Sequence, residues 1–163
     1  MARTELDRAV LPSLLDRLTD EDPRTTSDVA VSREESVRRF RQAVQRDVEA
    51  LLNTRRCIVE IGPADVELRR SVHEYGIPDT TGLAVGTNAG RKLLTDDIKD
   101  ALQRFEPRLM NVSVRLTDSD QVQTPRVRFA IEATLRMDPS PEQIVFDTVL
   151  EIASGSYAVD ENG

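Results

Sequence analysis

Tryptophan is absent from this 163-residue chain, cysteine and histidine occur once each, and aromatic side chains make up only 4%. The single cysteine, Cys57, excludes an internal disulfide and a cysteine-cluster metal site, and the single histidine, His73, excludes His-rich ligation. A core must therefore be assembled mainly from Leu, Val, Ile and Ala, in a chain whose length fits one domain with or without an arm. No apolar run approaches the roughly 18 residues of a membrane span, and the opening MARTELDRAV lacks the apolar stretch of a signal peptide. A cytoplasmic protein without direct membrane insertion is the expectation.

Charge narrows the choice of partner. The 22 basic residues against 29 acidic ones leave a net charge of −7, which repels a phosphate backbone unless the basic groups are segregated, so nucleic acid is not an expected partner. Lys92 and Lys99 are the only lysines and the remaining basic residues are arginine, a planar, bidentate group favoured at protein interfaces. After Arg136 only acids follow, namely Asp138, Glu142, Asp147, Glu151, Asp160 and Glu161. Residues 156–163 accordingly read as a solvated acidic tail.

Leu11, Leu14, Leu15 and Leu18 recur at helical spacing around Pro12, the pattern of a short amphipathic helix. The polar stretch TDEDPRTTSDVAVS follows as a linker, so residues 1–31 form a helix and linker preceding the body, 32–155. A helix this short is marginal alone, and its leucines need burial against either the body or a partner. Ser32 and Glu35 form a capping box that starts a longer helix, with Val37, Phe40, Val44, Val48, Leu51 and Leu52 on one face to about Asn53. The segment CIVEIGP suggests a brief buried extended piece, and Leu68, Val72 and Tyr75 a short helix from Asp65 to Gly76. Leu94, Ile98, Ala101, Leu102 and Phe105 mark a third substantial helix that ends before Pro107.

Alternation then takes over. Val112, Val114 and Leu116; Val127, Phe129, Ile131, Ala133 and Leu135; and Ile144, Phe146, Leu150 and Ile152 predict three antiparallel strands in a meander. Val145 and Val149 lie on the opposite face of the third strand. Ser156 to Val159 offers a short fourth strand beyond Gly155, whose edge would be available to another chain. The fold class is α+β, with N-terminal helices followed by an antiparallel sheet of three to four strands.

Tests for chemistry return little. His73 stands on a predicted helix with no Ser or Cys motif around it, so it reads as a helix-surface group rather than a catalytic base. Gly82, Gly86 and Gly90 match neither a dinucleotide fingerprint nor a phosphate loop and read as a flexible loop. Cys57 reads as a buried, inert thiol despite the neighbouring Arg56. A glycosidase needs two carboxylates across a sugar cleft, which counting acids can neither exclude nor support, and few aromatics remain for a sugar platform. No cofactor, metal or catalytic residue is assigned.

The junction FEPRL sets Pro107 between Glu106 and Arg108 where helix becomes strand. From physics alone the pair makes local salt bridges that cap the helix and orient the strand, and an exposed pair would stabilise little. The stretch also resembles the Glu-Pro-Arg signature of the phage baseplate wedge family sometimes labelled tail lysozyme. SLLDRLTD from Ser13 to Asp20, LLNTR from Leu51 to Arg55 and YGIPD from Tyr75 to Asp79 resemble, in order and spacing, the segments flanking that signature in the type VI secretion branch. His73 and Glu74 depart from the family, which has a small apolar residue and Asn before the tyrosine.

The resemblance implies a structural, non-catalytic subunit on the cytoplasmic side of the inner membrane, in the baseplate of a contractile injection machine. Its sheet would resemble the handshake domain of the sheath subunit and start sheath polymerisation by strand addition. Its implied partners are other baseplate wedge subunits and contractile sheath subunits. Glu106, Pro107 and Arg108 would dock on the helical core bundle of the wedge, joined by Leu11, Leu14, Leu15 and Leu18. The alternative is a peptidoglycan-cleaving accessory enzyme, distinguished by a pair of cleft carboxylates essential for turnover.

Overall fold

In the computed structural model, residues 9–19, 32–59, 61–80, 87–117, 126–138, 140–151 and 154–161 are described. The predicted linker over 20–31, Gly82 and Gly86, the connection 118–125 and the side chain of Ile152 lie outside them.

The body is organised by one long helix. Helix α2 spans Arg33–Asn53 and starts where the capping box places it, the Ser32 hydroxyl accepting from the Glu35 N–H at 3.2 Å. Its Phe40, Val44, Val48, Leu51 and Leu52 are buried. The short helix α1, Leu14–Leu18, precedes it, with Ser13 as its cap, so Pro12 stands just before the helix rather than at its first position. Helix α3 runs Asn88–Phe105, and the Thr87 hydroxyl accepts from the Gly90 N–H at 3.1 Å. Gly90, read as part of a loop, is thus in the first turn of α3, because the cap satisfies a donor the turn leaves free.

Four antiparallel strands follow in sequential order: β1 Leu109–Thr117, β2 Arg126–Leu135, β3 Glu142–Glu151 and β4 Ser156–Glu161. Leu135, Phe129, Ile131, Ile144, Phe146 and Leu150 are buried in one cluster with the inward faces of α2 and α3. The opposite sheet face carries the cross-strand pairs Arg115–Glu132 and Arg126–Glu151, with Val145 and Val149 half-buried among polar neighbours. In β1, Leu109 and Val112 are both buried although three residues apart. A bulge between Met110 and Ser113 inserts the extra residue that turns both inward, and Asn111 takes the left-handed conformation with φ 54°.

Three local expectations are corrected. From Leu68 to Glu74 the chain forms two 3₁₀ turns rather than one helix. Ser71 breaks the run by donating its hydroxyl to Leu68 C=O at 2.7 Å while accepting from the His73 N–H at 3.2 Å. Val72 is 89% exposed, so no apolar face holds a helix together there. Ile58, at 93%, and Val59 are exposed rather than buried, and Cys57 is exposed with them. Finally, the residues read both as a short fourth strand from Ser156 to Val159 and as part of an acidic tail form that strand, β4, which runs on through Glu161. Tyr157 and Val159 alternate into the core, and Glu161 pairs with Arg41 at 3.2 Å.

Candidate partner interface

The corner between α3 and β1 is a turn closed by Leu109 N–H donating to Glu106 C=O at 3.0 Å. Pro107 occupies the second turn position, which its fixed φ suits, and Glu106 before it has left the helical region, at φ −118° and ψ 78°, as a following proline favours. Pro107 is exposed, whereas Glu106 is only 4% exposed. The Arg108 guanidinium donates to Glu106 Oε1 at 2.6 Å and Oε2, and to Asp47 Oδ2 on α2 at 2.7 Å. These bonds, to Glu106 first and then Asp47, raise the Arg108 pKa above its ordinary value against the opposing effect of burial. Arg108 also lies 5.9 Å from the Phe40 ring centre. The local ion pair read from sequence is present, but it is internal, and Asp47 is a third member. Asp47 was legible only as a lone acid seven residues after Phe40, on the stripe α2 turns inward.

The leucines behave oppositely. Leu11, Leu14, Leu15 and Leu18 are 78, 70, 62 and 75% exposed. Of the two ways to bury them, the protein's own body is not used. Helix α1 instead meets α2 through polar contacts and one apolar residue: Val10 packs on the core, its N–H donates to Ser36 Oγ at 3.0 Å, and Arg46 donates to Asp16 Oδ1 at 2.9 Å.

LLNTR and YGIPD, distant in sequence, are in contact. Ile77 N–H donates to Thr54 C=O at 3.0 Å, and Arg56 N–H donates to Ile77 C=O at 2.9 Å. Arg55 pairs with Asp79 at 3.0 Å. Gly76, at φ 103°, is required here because a Cβ would stand 2.3 Å from Thr54 O. All four stretches that carry the family resemblance therefore gather on α2 or its end.

The two sheet edges differ. Asn53 on α2 donates to Tyr157 C=O and accepts from Tyr157 N–H, both at 2.9 Å, and Gln45 donates to Val159 C=O at 2.6 Å. Side chains of α2 thus occupy the outer main-chain groups of β4, the edge expected to be available. At the other edge, Arg136 N–H donates to Arg108 C=O at 2.8 Å and fixes the alternation of the β1–β2 ladder. Through the registered pairs Ser113–Glu132 and Arg115–Ala130, the main-chain groups of Val114 and Leu116 point away from β2. Among the described residues no hydrogen bond reaches them.

A cleft of about 560 Å³ is lined by Arg56, Arg69, Arg104, Glu74 and Asp100 beside Cys57 and Ile58. Both carboxylates engage Arg104, Glu74 at 3.4 Å and Asp100 at 3.1 Å, and no aromatic ring lines the space. His73 is half-buried on the second 3₁₀ turn, its Nδ1 without a hydrogen-bond partner among the described residues. Among those residues no cluster of His, Cys, Asp and Glu is placed to hold a metal, and no helix is long and apolar enough to cross a membrane.

Comparison with family profiles matches residues 38–140, more than half the chain, to the family described as baseplate wedge protein gp25. Comparison with curated proteins gives no match, and comparison with solved structures gives none.

Proposed function

Because the chain belongs to the baseplate wedge protein gp25 family, we propose that it serves in the cytoplasmic baseplate of a contractile type VI secretion machine, joining other wedge subunits and starting sheath polymerisation. The family is one of structural baseplate subunits. The observation that supports the finer reading is the unequal treatment of the sheet edges: β4 is closed by Asn53 and Gln45, while the outward main-chain groups of Val114 and Leu116 in β1 meet no partner among the described residues. Sheath strands add at β1, main-chain groups supplying affinity and the alternating side chains fixing register. The exposed leucines of α1, with Pro107 at the corner, contact the wedge, and Glu106 and Arg108 shape that corner from within. Nothing in the arginine-lined cleft favours peptidoglycan cleavage, since its two carboxylates share one guanidinium and it lacks a sugar platform.

The test is capture of purified wedge and sheath subunits by the wild-type protein and by Leu116→Pro, with melting curves on the same samples. Leu116 is exposed, and proline there deletes an outward N–H that β2 does not use, a substitution an edge strand tolerates. Sheath capture is expected to fall at least tenfold while wedge capture and melting are retained. Undiminished sheath capture would remove β1 as the template, and failure of the folded wild type to capture either subunit would overturn the baseplate assignment.

A further inference from the structure

Five charged side chains run in alternating sign from the N-terminal helix to the corner. Asp16 on α1 accepts from Arg46, whose guanidinium also donates to Asp47 Oδ1 at 3.1 and 3.2 Å. Asp47 turns its other oxygen to Arg108, and Arg108 is chelated by Glu106. From Arg46 inward, side-chain exposure falls from 53% through 32% at Asp47 and 22% at Arg108 to 5% at Glu106, while Asp16, held against Arg46 at the outer end, is 22% exposed. The inner end is therefore fixed by the fold, and Arg46 transmits that fixed position to a helix of five residues that cannot hold its own shape. At about 100° per residue, Leu14 and Leu18 stand about 160° around α1 from Asp16. Tethering Asp16 to α2 therefore turns the leucines outward.

We propose that Arg46 is a positioning residue that couples the leucine face of α1 to the Glu-Pro-Arg corner, so that a wedge subunit meets both as one surface. The coupling of α1 to α2 stands on geometry alone, while its consequence for docking rests on the function proposed above. Of the contacts α1 makes with the body, those of Val10 and Ser36 lie before the helix, and the Asp16–Arg46 pair sets how the helix itself is turned.

The test uses the whole 163-residue chain and needs no partner for its first half. Residue-resolved amide exchange is measured at Arg17 and Thr19, whose N–H groups donate to Ser13 and Leu15 C=O at 3.1 and 3.0 Å. Arg46→Ala and Asp16→Asn are each expected to speed exchange there about tenfold, with α2 and strand amides unchanged. The double variant is expected to add nothing further, as for two groups in one contact. Asp47→Asn is expected to give a smaller increase, and Arg46→Lys, which retains the charge, to recover much of the protection. In the second half, Arg46→Ala is expected to lose wedge affinity about as much as Leu14→Ser/Leu18→Ser, with sheath capture untouched. Unchanged exchange in Arg46→Ala overturns the coupling. Faster exchange with wild-type wedge affinity overturns its role in docking; if the leucine variant then also binds normally, the wedge contact itself has failed.

Discussion

β1 and β4 are both edges of the same sheet, yet among the described residues β4 is closed by the protein itself and β1 is not. At β4 an amide side chain from α2 takes both main-chain groups of Tyr157. At β1 the equivalent groups of Val114 meet no described partner. The same division separates the corner from α1: Glu106 and Arg108 face inward with Asp47, whereas the leucines face out. What α2 touches holds the fold together, and what it leaves bare is available to an assembly. That division predicts large stability losses on the closed side and binding losses without stability losses on the open side.

The sharpest loss is expected at Arg108. Its removal strands the buried Glu106 carboxylate and leaves Asp47 without its inner partner, at a cost of about 3 kcal/mol. For a domain of this size that lowers Tm by roughly 6–12 °C, read by calorimetry. Asn53→Ala comes next, because it unpairs the outer groups of Tyr157 and costs about 2 kcal/mol. It also bares a second edge, so concentration-dependent self-association by analytical ultracentrifugation is expected of this variant and not of the wild type.

Acid should act on α1 more gently. Burial alone raises the Asp16 pKa, but hydrogen bonds from Ser13 and Arg46 outweigh it and hold the carboxyl below its ordinary value of 3.8. A depressed folded-state pKa contributes stability that is fully present above the unfolded value and lost as pH falls through the folded one. Helix α1 is therefore expected to stay tethered at neutral pH and to release below about pH 4. NMR shifts of Leu14–Leu18 follow the release, and Asp16→Asn abolishes the pH step. The smallest stability effect belongs to Leu14→Ser/Leu18→Ser. Both side chains are already in water, so Tm is expected to move by less than about 2 °C, while wedge capture falls. A large Tm loss from this variant would erase the distinction between the open and closed sides.

Much of the fold was legible because it is local. The Ser32–Glu35 box started α2, Pro107 ended α3, and period-two alternation located β2 and β3. What failed depends on distant contacts. Leu68, Val72 and Tyr75 have helical spacing, but no surface meets Val72 and Ser71 diverts the backbone, so 3₁₀ turns form. Ile58 and Val59 look like core and stand in water. The closure of β4 depends on Asn53, 104 residues away from Tyr157, and no periodicity announces a helix side chain that bonds to a strand's backbone. The corner was found as a motif, but its inward orientation depends on Asp47, sixty-one residues distant in sequence.

The most direct measurement is residue-resolved amide exchange of the protein alone and with sheath subunit added. If sheath strands pair at the open edge, the Val114 and Leu116 amides gain protection on mixing, while Tyr157 and the rest of β4 remain as they were. Protection appearing along β4 with β1 unchanged would contradict the account.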